Sequence, residues 1–131
     1  MNVFISHSFE DRPYVAQLAK ALDDHGARTF SAFDVSAGGN IATAVEKALR
    51  KSDATVFLIS PQNSQNPNLY FELGAAVSLG KLILPVITKE MKGRPLPMPL
   101  MRHQYIIRQS PEATAEIIVA ALHSRLKALA G

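Results

Sequence analysis

A doubly wound α/β domain with a parallel sheet is the fold that this sequence predicts. Five short β-rich runs, at residues 3–6, 28–31, 54–60, 82–87 and 104–107, alternate with helical stretches, and such alternation is the mark of parallel strands joined by crossover helices. The helical stretches carry their apolar residues at helical spacing, as helices covering a sheet do. The chain has 131 residues, of which 47% are apolar, enough for one core and not for two. It contains no repeat, low-complexity tract or linker, so residues 1–131 read as a single domain.

The elements follow in order. A first helix over 11–25 places Val15, Leu18, Ala19 and Leu22 on one stripe and stops at Gly26. A second, over 41–51, buries Ile41, Val45, Ala48 and Leu49 while Glu46, Lys47 and Arg50 face water. Asn66 followed by Pro67 is an N-cap with proline at the first helical position, and Gly80 closes the helix they open, over 67–79. The last helix, over 111–129, buries Ile118, Leu122 and Leu126. Residues 88–103, with Pro95, Pro97 and Pro99, cannot hold a normal helix and read as an extended connector. Right-handed crossovers with two faces to cover give the flavodoxin-like strand order 2-1-3-4-5. The binding crevice of such a sheet lies at the carboxyl ends of strands one and three, between segments 6–11, 31–40 and 61–66.

Composition excludes several functions. There is no cysteine, hence no disulfide framework and no thiolate chemistry. His7, His25, His103 and His123 are scattered, and none has a partner at zinc-site spacing, so no metal is expected. Met1-Asn2 leads straight into Val3-Phe4-Ile5 without the features of a secretory signal. The longest apolar runs are of strand length, so a soluble, cytoplasmic protein without membrane contact is expected. The net charge of +3 is spread along the chain, with Lys89, Lys92, Arg94 and Arg102 the nearest approach to a cluster, so no direct nucleic-acid partner is expected.

The candidate for chemistry is Glu72. It is the sole charged residue between positions 54 and 80. Its helical neighbours Asn68, Leu69, Ala75 and Ala76 offer no cation, so a carboxylate there faces desolvation unless a crevice solvates it. Composition alone does not separate this from a glutamate on the solvent side of its helix. Residue types exclude other uses of the topology. Ser60-Pro61 and Ser6-His7 stand where a phosphoacceptor receiver needs acids. Glu10 and Asp11 oppose an anion at the first helix, and Gly38-Gly39 completes no nucleotide-phosphate motif.

Val3-Phe4-Ile5-Ser6-His7-Ser8, then Asp34 and Gly38 before a helix, then Ser52-Asp53 leading to Val56-Phe57-Leu58-Ile59-Ser60, resembles a TIR (Toll/interleukin-1 receptor) domain. Phe71-Glu72-Leu73-Gly74 and Gly80-Lys81-Leu82-Ile83-Leu84-Pro85-Val86 continue the likeness, which covers residues 3–87 by motif and the remainder by element order. The resemblance is to stand-alone TIR domains of bacterial type, many of which cleave the nicotinamide–ribose bond of NAD with a glutamate on the helix after strand three. It implies Glu72 as the catalytic residue. It implies Ser6 and His7 as cleft residues from strand one, and Phe33, Asp34 and Ser36 as part of the loop after strand two. NAD is then the substrate, and no cofactor is needed.

The bland readings stand beside these. His7 reads equally as an exposed loop residue, Phe33 as loop packing and Asp34 as a cap. Asn68 occupies the substrate-facing position four residues before the glutamate where many TIR enzymes carry an aromatic side chain. The resemblance also implies self-association, or pairing with another TIR protein, to complete and control the site, with loops 31–40 and 88–103 as candidate contacts. It implies a role in immune signalling or antiphage defence. Two alternatives remain: an interaction module without catalysis, and a nucleoside 2-deoxyribosyltransferase-like enzyme, because Tyr70-Phe71-Glu72-Leu73-Gly74-Ala75-Ala76 is similar to the glutamate motif of that family as well.

Overall fold

The computed structural model describes residues 1–32, 40–97, 99–100 and 104–130. Five strands, β1 (Asn2–Ser6), β2 (Arg28–Phe30), β3 (Ala54–Ile59), β4 (Leu82–Ile87) and β5 (Ile106–Ile107), alternate with four helices, α1 (Arg12–Asp24), α2 (Ile41–Lys51), α3 (Pro67–Ser78) and α4 (Pro111–Ala130). The strands form one sheet in the order β2-β1-β3-β4-β5, with every pair parallel. This is the doubly wound arrangement expected from the sequence.

The two faces of the sheet sort the apolar residues by strand alternation. Val3 and Ile5 of β1, Ala54, Val56 and Leu58 of β3, and Leu84 and Val86 of β4 pack with Leu18 and Leu22 of α1 and with Ala115, Ile118 and Leu122 of α4. The intervening Phe4, Phe57, Ile59, Ile83 and Ile87 pack with Val45 and Leu49 of α2 and with Leu69, Leu73 and Ala76 of α3. β3 is buried at all six positions, as a central parallel strand covered on both faces should be.

Caps fix the helix starts. The Asn40 side chain accepts from the Thr43 amide at 3.1 Å, and that of Asn66 accepts from the Asn68 amide at 2.8 Å ahead of Pro67. Gly26 and Gly80, with φ of +82° and +67°, turn the chain out of α1 and past α3, a left-handed conformation that costs glycine nothing.

Several boundaries differ from expectation by a residue or two. β2 and β5 are shorter than the β-rich runs 28–31 and 104–107, and β5 pairs with β4 only from Val86 onward, one residue beyond Pro85, which has no N–H to give. β3 ends at Ile59 because the Asn63 side chain takes over the next backbone groups: Oδ1 accepts from the Ser60 amide at 2.9 Å, and Nδ2 donates to the Leu58 carbonyl at 2.7 Å. The described residues of 88–103 are not a plain extended connector. They begin with a 3₁₀ turn, Lys89–Met91, and their apolar residues Met91 and Leu100 are buried in the α2/α3 core. That burial outweighs what the prolines and bases suggested.

Two glycines separate local strain from helix propensity. Neither Gly26 nor Gly74 has any atom within 4 Å of where a Cβ would sit, so packing is silent at both. Gly26→Ala forces a left-handed alanine and lowers the free energy of unfolding by about 1 kcal/mol. Gly74→Ala, inside α3, raises it by about 1 kcal/mol. Denaturant titration of the two variants measures both signs.

Candidate active site

β1 and β3 are neighbours, yet their onward connections leave in opposite directions, to β2 and to β4. The loops at their carboxyl ends therefore part and leave a crevice. It is a cleft of about 290 Å³ lined by Ser6, His7, Ser8 and Phe9 after β1, Ala32 after β2, Asn63 and Asn66 ahead of α3, and Asn68, Leu69 and Glu72 on α3.

Glu72 sits in the second turn of α3 and is turned inward, 7% exposed, among Leu69, Leu73 and Ala76 on the buried side of the helix. The solvent-side alternative is thereby excluded. The Ser6 hydroxyl hydrogen-bonds its carboxylate, while Oε2 is buried with no hydrogen-bond partner among the described residues. No lysine or arginine is among the described residues lining the cleft. Burial therefore dominates, and it pushes the Glu72 carboxyl up from 4.5 to about 7 against the opposing pull of the Ser6 hydrogen bond. A carboxyl in this state changes charge near neutral pH. It can hold a hydroxyl, stabilise a cation or take up a proton.

Ser6 is the last residue of β1 and is itself buried, which aims its hydroxyl across the β1–β3 seam at α3. His7 is half-buried, with Nδ1 3.2 Å from the Ser8 carbonyl. A carbonyl can only accept, so this contact puts a proton on Nδ1. Ser8 Oγ donates to Asp11 Oδ2 at 3.0 Å, and Arg108 Nη1 donates to Asp11 Oδ1 at 2.7 Å. The Arg108 guanidinium lies 3.7 Å from the centroid of the Tyr14 ring, and Tyr14 Oη reaches the Gln109 carbonyl at 2.7 Å. The loop after β1 is thus tied to the β5–α4 junction.

Of the residues singled out in the sequence, the cleft gathers Ser6, His7, Asn68 and Glu72. Phe33, Asp34 and Ser36 lie outside the described residues. Ser8, Phe9, Ala32, Asn63, Asn66 and Leu69 line the cleft without having been singled out for it, although all but Leu69 fall in the three segments that the strand order places at the crevice. Among the described residues no three histidine or acidic side chains come together to hold a metal, and no helix is long and apolar enough to cross a membrane.

A parallel 2-1-3-4-5 sheet with a buried carboxyl at its switch point defines the class: a doubly wound α/β domain whose site lies where the strand order reverses. The TIR domain family matches residues 3–122, and the chain belongs to that family.

Among solved structures it is similar to the TIR domain of a Toll-related receptor from Hydra magnipapillata, at 27% identity over 80% of this chain and 82% of that one, with a TM-score of 0.66. It is also similar to a TIR-STING receptor from C. gigas, at 23% identity and a TM-score of 0.77, covering 92% of this chain but spanning only 38% of the receptor's. A CMP N-glycosidase from Clostridium botulinum is 16% identical over 92% of this chain and 99% of that one, with a TM-score of 0.63. The latter two likenesses are of fold. No protein of curated function matches the chain.

The buried carboxyl makes stability depend on pH with a definite sign. Its pKa is raised on folding, so the native state holds the proton more tightly than the unfolded chain does. Stability is therefore lost as pH rises from the unfolded value of 4.5 to the folded value of about 7, and the loss levels off above that. The whole effect is on the order of 3 kcal/mol. Glu72→Gln, which carries no charge at any pH, should gain on the parent protein between about pH 5 and about pH 8. Chemical denaturation at the two pH values measures the gain.

Proposed function

We propose that this TIR domain is an NAD glycohydrolase, cleaving the nicotinamide–ribose bond to give nicotinamide and ADP-ribose or a cyclic ADP-ribose variant. The observation that carries the reading is Glu72, buried in the switch-point cleft with the Ser6 hydroxyl on its carboxylate.

The reaction asks little else of the site. The nicotinamide of NAD is already a cation, so when the C–N bond breaks its electron pair neutralises the departing ring, and no acid is needed to protonate the leaving group. Positive charge builds on the ribose instead. A fixed carboxylate in a poorly hydrated cleft stabilises that oxocarbenium-like centre or binds the ribose hydroxyls. Water then adds to the anomeric carbon and gives up a proton, which a carboxylate with a pKa near neutrality can accept. His7 and Asn68 line the same cleft and serve as substrate contacts in this reading. Phe33, Asp34 and Ser36 take the same role from the loop after β2. No cofactor takes part.

The protein then acts in the cytoplasm as a single catalytic domain. Its control comes from self-association or from pairing with another TIR protein, in immune signalling or antiphage defence. Family membership and the likeness to a TIR-STING receptor support this part of the reading.

A second reading keeps the bond type and changes the substrate. The glutamate motif resembles that of nucleoside 2-deoxyribosyltransferases, and one protein of like fold is named as a CMP N-glycosidase; both favour N-glycosidic cleavage of a nucleoside or nucleotide. The third possibility, an interaction module without catalysis, leaves a buried carboxyl in a cleft without a use.

Purified protein incubated with NAD should release nicotinamide, followed by mass spectrometry, and Glu72→Ala should release it on the order of 100-fold more slowly or worse. Unchanged release by the variant would remove Glu72 from the mechanism. No release at high protein concentration or on an assembly-promoting surface would leave the interaction module. Deoxynucleosides and CMP in parallel reactions test the second reading.

The pH profile is a separate measurement. The ionised carboxylate is the working form, so kcat/KM should climb with pH and level off above an apparent pKa of about 7. A profile flat from pH ~5 to ~8 contradicts it.

A further inference from the structure

We propose that Phe9 is the stacking platform for the base whose glycosidic bond Glu72 serves, and hence a residue that determines substrate binding. The inference rests on the N-glycosidic reading of the site and adds to it the group that holds the leaving base.

Phe9 lines the same cleft as Glu72 and is 63% exposed. A single exposed aromatic ring is ordinary on a protein surface, so its setting must carry the argument. The other described lining residues are serines, asparagines, a histidine, an alanine, a leucine and Glu72, so Phe9 offers the sole benzenoid face among them. Asn68 offers an amide instead of a ring. Tyr70 and Phe71, although on α3, are not among the lining residues, and Tyr70 Oη is engaged with the Ser64 carbonyl at 3.1 Å.

The backbone that carries the ring is held. Phe9 opens the 3₁₀ turn Phe9–Asp11, whose flanks are fixed by the Ser8–Asp11 hydrogen bond and by the half-buried ion pair of Asp11 with Arg108. A braced turn leaves only the ring's own rotation to be ordered when a ligand stacks on it, which lowers the cost of binding. The Arg12 guanidinium lies 4.8 Å from the ring centroid, and with Pro13 and Ala16 it lines a second hollow that shares Phe9 with the cleft.

The cleft's volume of about 290 Å³ is at the bottom of the range for small-molecule sites. It suits a base with its ribose better than a whole dinucleotide. With the carboxyl deep and the ring at the rim, ribose falls to Glu72 and the planar base to Phe9. A planar base stacks there through its π-face, whatever its charge.

The test compares nicotinamide mononucleotide with ribose 5-phosphate, which lacks only the base, by calorimetry on the wild-type chain and on Phe9→Ala, Phe9→Leu and Phe9→Tyr. Phe9→Ala should bind the mononucleotide about tenfold more weakly and ribose 5-phosphate as before. Phe9→Tyr should restore binding, and Phe9→Leu, apolar but not flat, should not. Circular dichroism should show all three folded, because the ring is exposed.

An equal loss for both probes, no loss for either, or a wild-type chain that binds the mononucleotide no better than ribose 5-phosphate overturns the inference. Base-dependent binding without nicotinamide release from NAD overturns the hydrolase reading and leaves the stacking role standing. Wild-type kcat/KM on NAD in Phe9→Ala overturns the stacking role and leaves the hydrolase reading.

Discussion

Parallel pairing of strands is the constraint from which the rest of this domain follows. A parallel pair cannot be closed by a tight turn, so every connection crosses over the sheet, and helices come to cover both faces. β1 is the hinge of that arrangement: the chain leaves it toward β2, then returns across it to start β3 and winds the other way. The same reversal that lets α1 and α4 share one core, and α2 and α3 the other, forces the loops above β1 and β3 apart. The cleft is a by-product of covering the sheet twice.

Glu72 shows what the fold does with that opening. α3 is anchored by Leu69, Leu73 and Ala76, and Glu72, three residues after Leu69 and four before Ala76, shares their buried face. The carboxyl is therefore held in a place where its charge is disfavoured, with a hydroxyl on it and one oxygen without a partner. In water the same group would be ionised and satisfied by hydration. The fold exchanges hydration for a fixed position, and that exchange gives a carboxylate chemical use.

Much of the fold was legible in the sequence because its causes are local. Alternation and helical spacing, the asparagine caps and the stop glycines each act within a few residues. Glu72 and Ser6 were legible for a related reason: topology places the end of β1 and the start of α3 at one point. The brace from Asp11 to Arg108 was not, since the two residues are 97 positions apart and neither carries a periodic signal. Asn63 was equally silent, because an asparagine that ends a strand through its side chain looks in sequence like any loop asparagine. Connector 88–103 misled because its prolines are conspicuous, whereas the burial of Met91 and Leu100 depends on a surface that α2 and α3 build elsewhere.

That brace has a consequence for how the protein comes into being. The turn bearing Phe9 is among the first dozen residues, yet the guanidinium that secures it arrives only with the last strand. A chain emerging from the ribosome holds Ser6, His7 and Glu72 well before it holds Arg108. Completion of the cleft wall is thus coupled to docking of β5 and α4, and the site matures only after these later elements of the domain have been made.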